Sequence, residues 1–155
     1  MKATRILFVC HGNICRSPMA EFIFRDLVDK AGLRDRFAIA SAATSREELG
    51  HPVYPPARQE LAKHGISCGG KRAVLLVPED YGRYDLFLGM DEENMQNMRR
   101  LFDGDPEGKC VKLLSLAGRT DDVADPWYVG RFDRTYHDLE EGCRALLERL
   151  TRQEG

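Results

Sequence analysis

Apolar residues along this chain fall into short unbroken runs separated by longer stretches in which they recur every three or four positions. Thr4 to Cys10 is the first such run, apolar from Ile6 onward with β-branched and aromatic members, and it predicts a buried strand. His11-Gly12-Asn13 breaks it. Ser17-Pro18 then predicts a helix start, with Ser17 as N-cap and Pro18 in the first helical position. Ala20, Ile23/Phe24, Leu27 and Ala31 keep helical spacing until Gly32 stops it. Phe37 to Ala42 predicts a second strand, and Pro56 to Lys63 a helix closed by His64-Gly65. Tyr84 to Met90 predicts a third strand, and Asp91 caps a helix carrying Met95, Met98 and Leu101. Lys109 to Leu114 predicts a fourth strand, and Phe132 to Leu150 a last helix with Leu139, Cys143, Leu146/Leu147 and Leu150 on one face. Strands alternating with helices imply parallel β-α-β units. The fold class expected is α/β: one domain over 1–155, a doubly wound, four-stranded parallel sheet flanked by helices.

Composition narrows the partners. In 155 residues, 23 Lys and Arg face 25 Asp and Glu, a net charge of −2, which argues against nucleic acid or a membrane surface as partner. The apolar runs are far shorter than the ~20 residues a membrane span needs, and the start lacks the pattern of a signal peptide. Five cysteines, an odd number with no export signal, point to the cytoplasm and to thiols rather than disulfides.

Chemistry concentrates in Cys10-His11-Gly12-Asn13-Ile14-Cys15-Arg16-Ser17, between the first strand and the first helix. Cys-x5-Arg alone is weak, because Cys143 and Arg149 repeat it inside a helix. Adding the serine lowers the chance expectation to about 0.02 matches in a chain of this composition. Such a loop suits a phosphate cradle. Backbone N–H groups from His11 to Ser17 converge on the anion, the helix dipole adds positive potential, and Gly12 and Asn13 tolerate positive φ. Arg16 closes over the anion with two parallel hydrogen bonds. The same field favours a thiolate at Cys10 and makes it a nucleophile, and Ser17 could donate its hydroxyl to that sulfur. No Gly-x4-Gly-Lys-Ser/Thr or Gly-x-Gly-x-x-Gly occurs. A zinc site from Cys10, Cys15 and His11 has poor ligand spacing, so no metal or cofactor is expected. A phosphate ester also needs a proton for its leaving oxygen. Of Asp121, Asp122 and Asp125, the last precedes a proline and has Trp127 nearby to shield it.

Val9 to Pro18 closely resembles the signature of the low-molecular-weight protein tyrosine phosphatases. The resemblance extends to Ser41-Ala42-Ala43-Thr44-Ser45, to Met90-Asp91 with Asn94, and to Asp125-Pro126-Trp127-Tyr128, which matches the loop carrying the family's general acid. It implies that Cys10 attacks phosphorus while Asp125 protonates the leaving oxygen. Asp125 then activates the water that hydrolyses the phosphocysteine, and Arg16 and the loop amides hold the phosphoryl oxygens. It also implies Asn13, Ser17 and Ser41 as loop support. Phosphotyrosine-containing proteins are the implied partners, and phosphate or other oxyanions the implied inhibitors. The chain departs from the family twice. Gly69-Gly70-Lys71-Arg72-Ala73 stands where members often have His-x-Ala-Arg, and Arg46-Glu47-Glu48 where many have a cleft-wall aromatic. Glu47, Trp127 and Tyr128 are therefore the expected substrate cleft, and Tyr136 is expected on a helix surface. Cys15 shares the loop with Cys10. A curled loop can bring two Cα atoms within the about 4.4–6.8 Å a disulfide needs, which makes Cys15 a candidate redox partner.

Several rivals share parts of this pattern. Protein-arginine phosphatases typically have Thr where this chain has Ile14, and arsenate reductases need further cysteines closer together than Cys68 and Cys110. A phosphocysteine carrier does not need Arg16 with an Asp125 acid, and a phosphotyrosine-binding module does not need a reactive thiol.

Overall fold

A computed structural model describes residues 3–154, apart from the side chains of Tyr128, Val129, Gln153 and Glu154. Strand β1 (Thr4–Cys10) leads into helix α1 (Arg16–Lys30), β2 (Phe37–Ala43) and α2 (Pro55–Lys63). Next come β3 (Leu86–Gly89), α3 (Glu92–Leu101), β4 (Cys110–Lys112), the short α4 (Pro126–Val129) and the long α5 (Phe132–Glu154). The sheet has four strands in the order β2-β1-β3-β4, all parallel. The chain goes to one side of β1 to make β2, then crosses to the other side for β3. That reversal opens a crevice at the carboxyl end of β1, where open α/β sheets bind ligands.

Alternation along β1 builds two cores. Ile6, Phe8 and Cys10 face α1, α2 and α5, packing with Phe24, Leu61, Leu139 and Cys143. Leu7 and Val9 face α3, packing with Phe87, Met95, Met98 and Phe102. With both faces covered, β1 reads as a continuous apolar run.

Two strands are shorter than their apolar runs. β3 stops at Gly89 because the Met90 N–H is taken by Asn94 Oδ1 at 3.0 Å, in the cap of α3. β4 stops at Lys112 because Leu113–Ala117 winds into a 3-10 turn that buries Leu113 and Leu114. Helix α1 starts at Arg16 with Cys15 in the N-cap position, so Ser17 is not the cap; its hydroxyl is committed elsewhere. Tyr136 is buried rather than on a helix surface, stacked on His64 with 3.6 Å between ring centroids. Among the described residues no helix is long and apolar enough to cross a membrane.

Candidate active site

The loop from Cys10 to Arg16 curls because Asn13 adopts a left-handed conformation, φ 59°, which asparagine tolerates better than most residues. Of the two residues that tolerate positive φ there, the loop uses Asn13 and not Gly12. The amides of Asn13 and Ser17 donate to Cys10 Sγ at 3.3 and 3.4 Å. Ser17 Oγ lies 3.0 Å from the same sulfur. Because Asn13 Nδ2 donates to Ser17 Oγ at 2.7 Å, the serine's own hydrogen is free to point at the sulfur. Three donors therefore stabilise negative charge on Cys10. Among the described residues, the amides of Gly12, Ile14 and Cys15 have no acceptor, and all three residues line a cavity of about 270 Å³. Cys10, His11, Arg16, Glu47, Asp125 and Trp127 line it too.

Asn13 and Ser17 do not line that cavity. They lie beneath it, fully buried, and hold the loop from below. Asn13 Nδ2 also donates to Ser41 Oγ at 3.0 Å, and Asn13 Oδ1 accepts from the Val74 N–H at 3.1 Å. Ser41 donates to buried Glu21 at 2.6 Å. Lys71 donates to the Ser41 carbonyl at 2.9 Å and lies 3.9 Å from Glu21. Burial pulls the Lys71 ammonium below its ordinary pKa against the opposing pull of Glu21. Lys71 thus completes the support in the segment where a histidine is missing. Sequence reasoning overlooked Glu21, although a carboxylate between Ala20 and Phe24 on an apolar helix face was a usable signal. The sequence marked the Gly69–Ala73 stretch only as a departure from the family pattern, not Lys71 as its support.

Arg16 enters the cavity with its side chain only 3% exposed. Its Nη1 donates to Asp91 Oδ2 at 2.7 Å and to the Val123 carbonyl at 2.9 Å. Burial acts to lower its pKa, but Cys10, Asp91 and Asp125 outweigh that, so the guanidinium is firmly charged. Asp91, expected as the cap of α3, does cap it, accepting from the Asn94 N–H at 2.8 Å, and anchors Arg16 with its other oxygen. Asp125 caps α4 through the Trp127 N–H at 3.0 Å, with Oδ2 3.7 Å from Arg16.

Trp127 lines the cavity, is 53% exposed and leans on Tyr54, a supporting aromatic that sequence reasoning missed, with ring centroids 4.6 Å apart and planes tilted by 48°. The Tyr128 side chain lies outside the described residues. Glu47 pairs with His11 at 3.1 Å and Glu48 with His51 at 2.6 Å. Cys15 is buried on the cavity wall. Burial first, then the neighbouring Cys10 and Asp125 charges, push its thiol up.

The family model for low molecular weight phosphotyrosine protein phosphatase matches residues 5–155. The chain belongs to that family. It is 35% identical to the low molecular weight protein-tyrosine-phosphatase YfkJ of Bacillus subtilis over 150 residues, 96% of each chain. It is 36% identical to the low molecular weight phosphotyrosine protein phosphatase of Sus scrofa over 152 residues, 94% of each. The crystal structure of YfkJ superposes with a TM-score of 0.94, covering 99% of this chain and 98% of that one at 34% identity. The Drosophila arginine phosphatase structure superposes with a TM-score of 0.86 at 28% identity, covering 94% of this chain and 96% of that one. As a family member, this chain is a phosphatase with the α/β architecture its alternating periods predicted.

Proposed function

We propose that this phosphatase hydrolyses phosphotyrosine, and small aryl phosphates, with Cys10 as nucleophile, Arg16 as clamp and Asp125 as acid and then base. The observation that carries this reading is the convergence of three donors on Cys10 Sγ in a cavity shared with Arg16 and Asp125. Cys10 attacks phosphorus in line, the P–O bond to the tyrosyl oxygen breaks, and Asp125 gives that oxygen its proton. Asp125, now a carboxylate, takes a proton from water as the water attacks phosphorus. The P–S bond then breaks and the Ser17 hydroxyl receives the returning thiolate.

The substrate class is argued from the walls. Trp127, which lines the cavity with Tyr54 tilted against it, offers an aromatic face to a phenyl ring, and apolar Ile14 offers no polar partner to a guanidinium. A second reading, phosphoarginine hydrolysis, draws on Glu47 and Glu48 at the cavity wall. Both carboxylates are already paired with histidines, which favours the aryl substrate. The test compares kcat/KM on a phosphotyrosine peptide and on phosphoarginine. Preference for phosphoarginine overturns the aryl assignment. Cys10→Ser should lose turnover on both while still binding inorganic phosphate.

Cys15 is proposed as the redox partner. Peroxide oxidises the Cys10 thiolate to a sulfenic acid. The Cys15 thiol then displaces its oxygen as water and forms a disulfide, which added thiol reduces. Cys15→Ser should make peroxide inactivation irreversible by thiol; full recovery in that variant refutes the resolving role.

A further inference from the structure

A second cavity, of about 480 Å³, opens beside the phosphate loop, and His11 lines both. One of its sides is the segment just beyond the end of β2, through Thr44 and Arg46. The other is the α3 face carrying Arg100 and Leu101, two turns along from Glu93, which lies 3.9 Å from His11. The groove thus begins at the phosphate loop and runs down α3.

Its charge is the reverse of the first cavity's. Glu47 and Glu48 line the first, whereas no carboxylate lines the second. Arg46 and Arg100 both line it, and both are exposed. Arg100 donates only to Asn97 Oδ1, at 3.3 Å, and neither guanidinium has a carboxylate partner among the described residues. Leu75 and Leu101 are half-buried between them. Thr44 Oγ1, on the same groove, is the one buried side-chain polar atom among the described residues that lacks a hydrogen-bond partner.

We propose that this groove binds the substrate chain flanking the phosphotyrosine and selects an acidic side chain there through Arg46 and Arg100. The inference rests on the phosphotyrosine reading above. A residue whose side chain fills the first cavity delivers its neighbours to the shared rim at His11. From Glu93 to Arg100 the helix rises about 10 Å, and an extended peptide covers that in about three residues. The acidic residue therefore sits about three positions from the phosphotyrosine, on one side only. An acidic residue immediately adjacent instead meets the Glu47 wall, so the selectivity depends on position.

The test moves a single glutamate through each position either side of phosphotyrosine in a short peptide and measures kcat/KM. An aryl phosphate with no flanking chain serves as the reference. Glutamate about three positions away on one side should raise kcat/KM about two- to fivefold over alanine, as exposed ion pairs do, and high salt should erase the gain. Arg46→Ala with Arg100→Ala should remove the preference and leave aryl phosphate turnover unchanged. A flat profile, or a preference that survives the double variant, overturns the groove assignment alone. Hydrolysis of phosphoarginine with none of any phosphotyrosine peptide overturns the underlying reading instead.

Discussion

Among the described residues, the hydrogen bonds that fix Arg16 from behind all come from one of its nitrogens. Nη1 carries both the Asp91 and the Val123 bonds, leaving the Nη2 and Nε edge for two phosphoryl oxygens, the geometry lysine cannot supply. Asp125 hangs at the rim from its own helix cap, 3.7 Å from Nη2. That placement suits an acid needed only when the leaving group is poor. Asp125→Ala should therefore cost roughly 10²–10⁴-fold in rate on phenyl-type leaving groups and far less on an activated aryl phosphate. Equal losses on both would remove Asp125 from the acid role. At this scale the sequence exposed what local chemistry imposes: a thiol, an arginine and small turn residues crowded between a strand and a helix. It hid what only the fold brings together. Lys71 meets Ser41 and Glu21 from 30 and 50 residues away in the chain, and no local pattern foretells such a meeting.

Elements were legible where periodicity was strong and blurred where a side chain ended the ladder. α1 was expected from its apolar spacing and its Gly32 stop, and Gly32 does take φ 71°. The ends of β3 and β4 were not, because Asn94 and a 3-10 turn end them, and both look like apolar continuation in the sequence. α5 shows how close the packing is. A Cβ added at Gly142 would lie 2.6 Å from Leu113 Cγ, with Leu113 fully buried. Alanine ordinarily favours a helix over glycine by about 1 kcal/mol, but overpacking a core costs about 1–3 kcal/mol. Gly142→Ala should lower stability, by up to about 2 kcal/mol in denaturant titration. In a Leu113→Ala background the same change should cost less, since the clash is gone. A stabilised Gly142→Ala would show that helix propensity wins and that α5 is free to shift.

For the whole molecule, the alternation of strands and helices announced a parallel sheet, but the order β2-β1-β3-β4 is set by long-range packing. That order puts the switch point, and so the site, beyond β1. Long-range packing also sets how stability depends on pH. Burial, with Glu140 adding to it, pushes the Tyr136 phenol from 10.0 up to about 12. Burial, with Asp105 adding to it, pushes the Cys110 thiol from 9.0 up to about 12. Both groups keep their protons longer in the folded chain than in the unfolded one. Their contribution is complete below the unfolded values and is lost as pH rises through about 12. Carboxylates act in the opposite direction. The Arg131 hydrogen bond lowers Asp133 from 3.8 to about 2, and the Arg5 hydrogen bond lowers Asp85. Their contribution is present above 3.8 and lost as pH falls toward 2. Denaturant midpoints measured across pH should therefore hold a plateau through neutrality and fall at both ends. Tyr136→Phe keeps the stack on His64 but removes the titrating group, so it should flatten the limb between pH 10 and about 12. An alkaline limb equally steep in Tyr136→Phe would assign that loss to other groups.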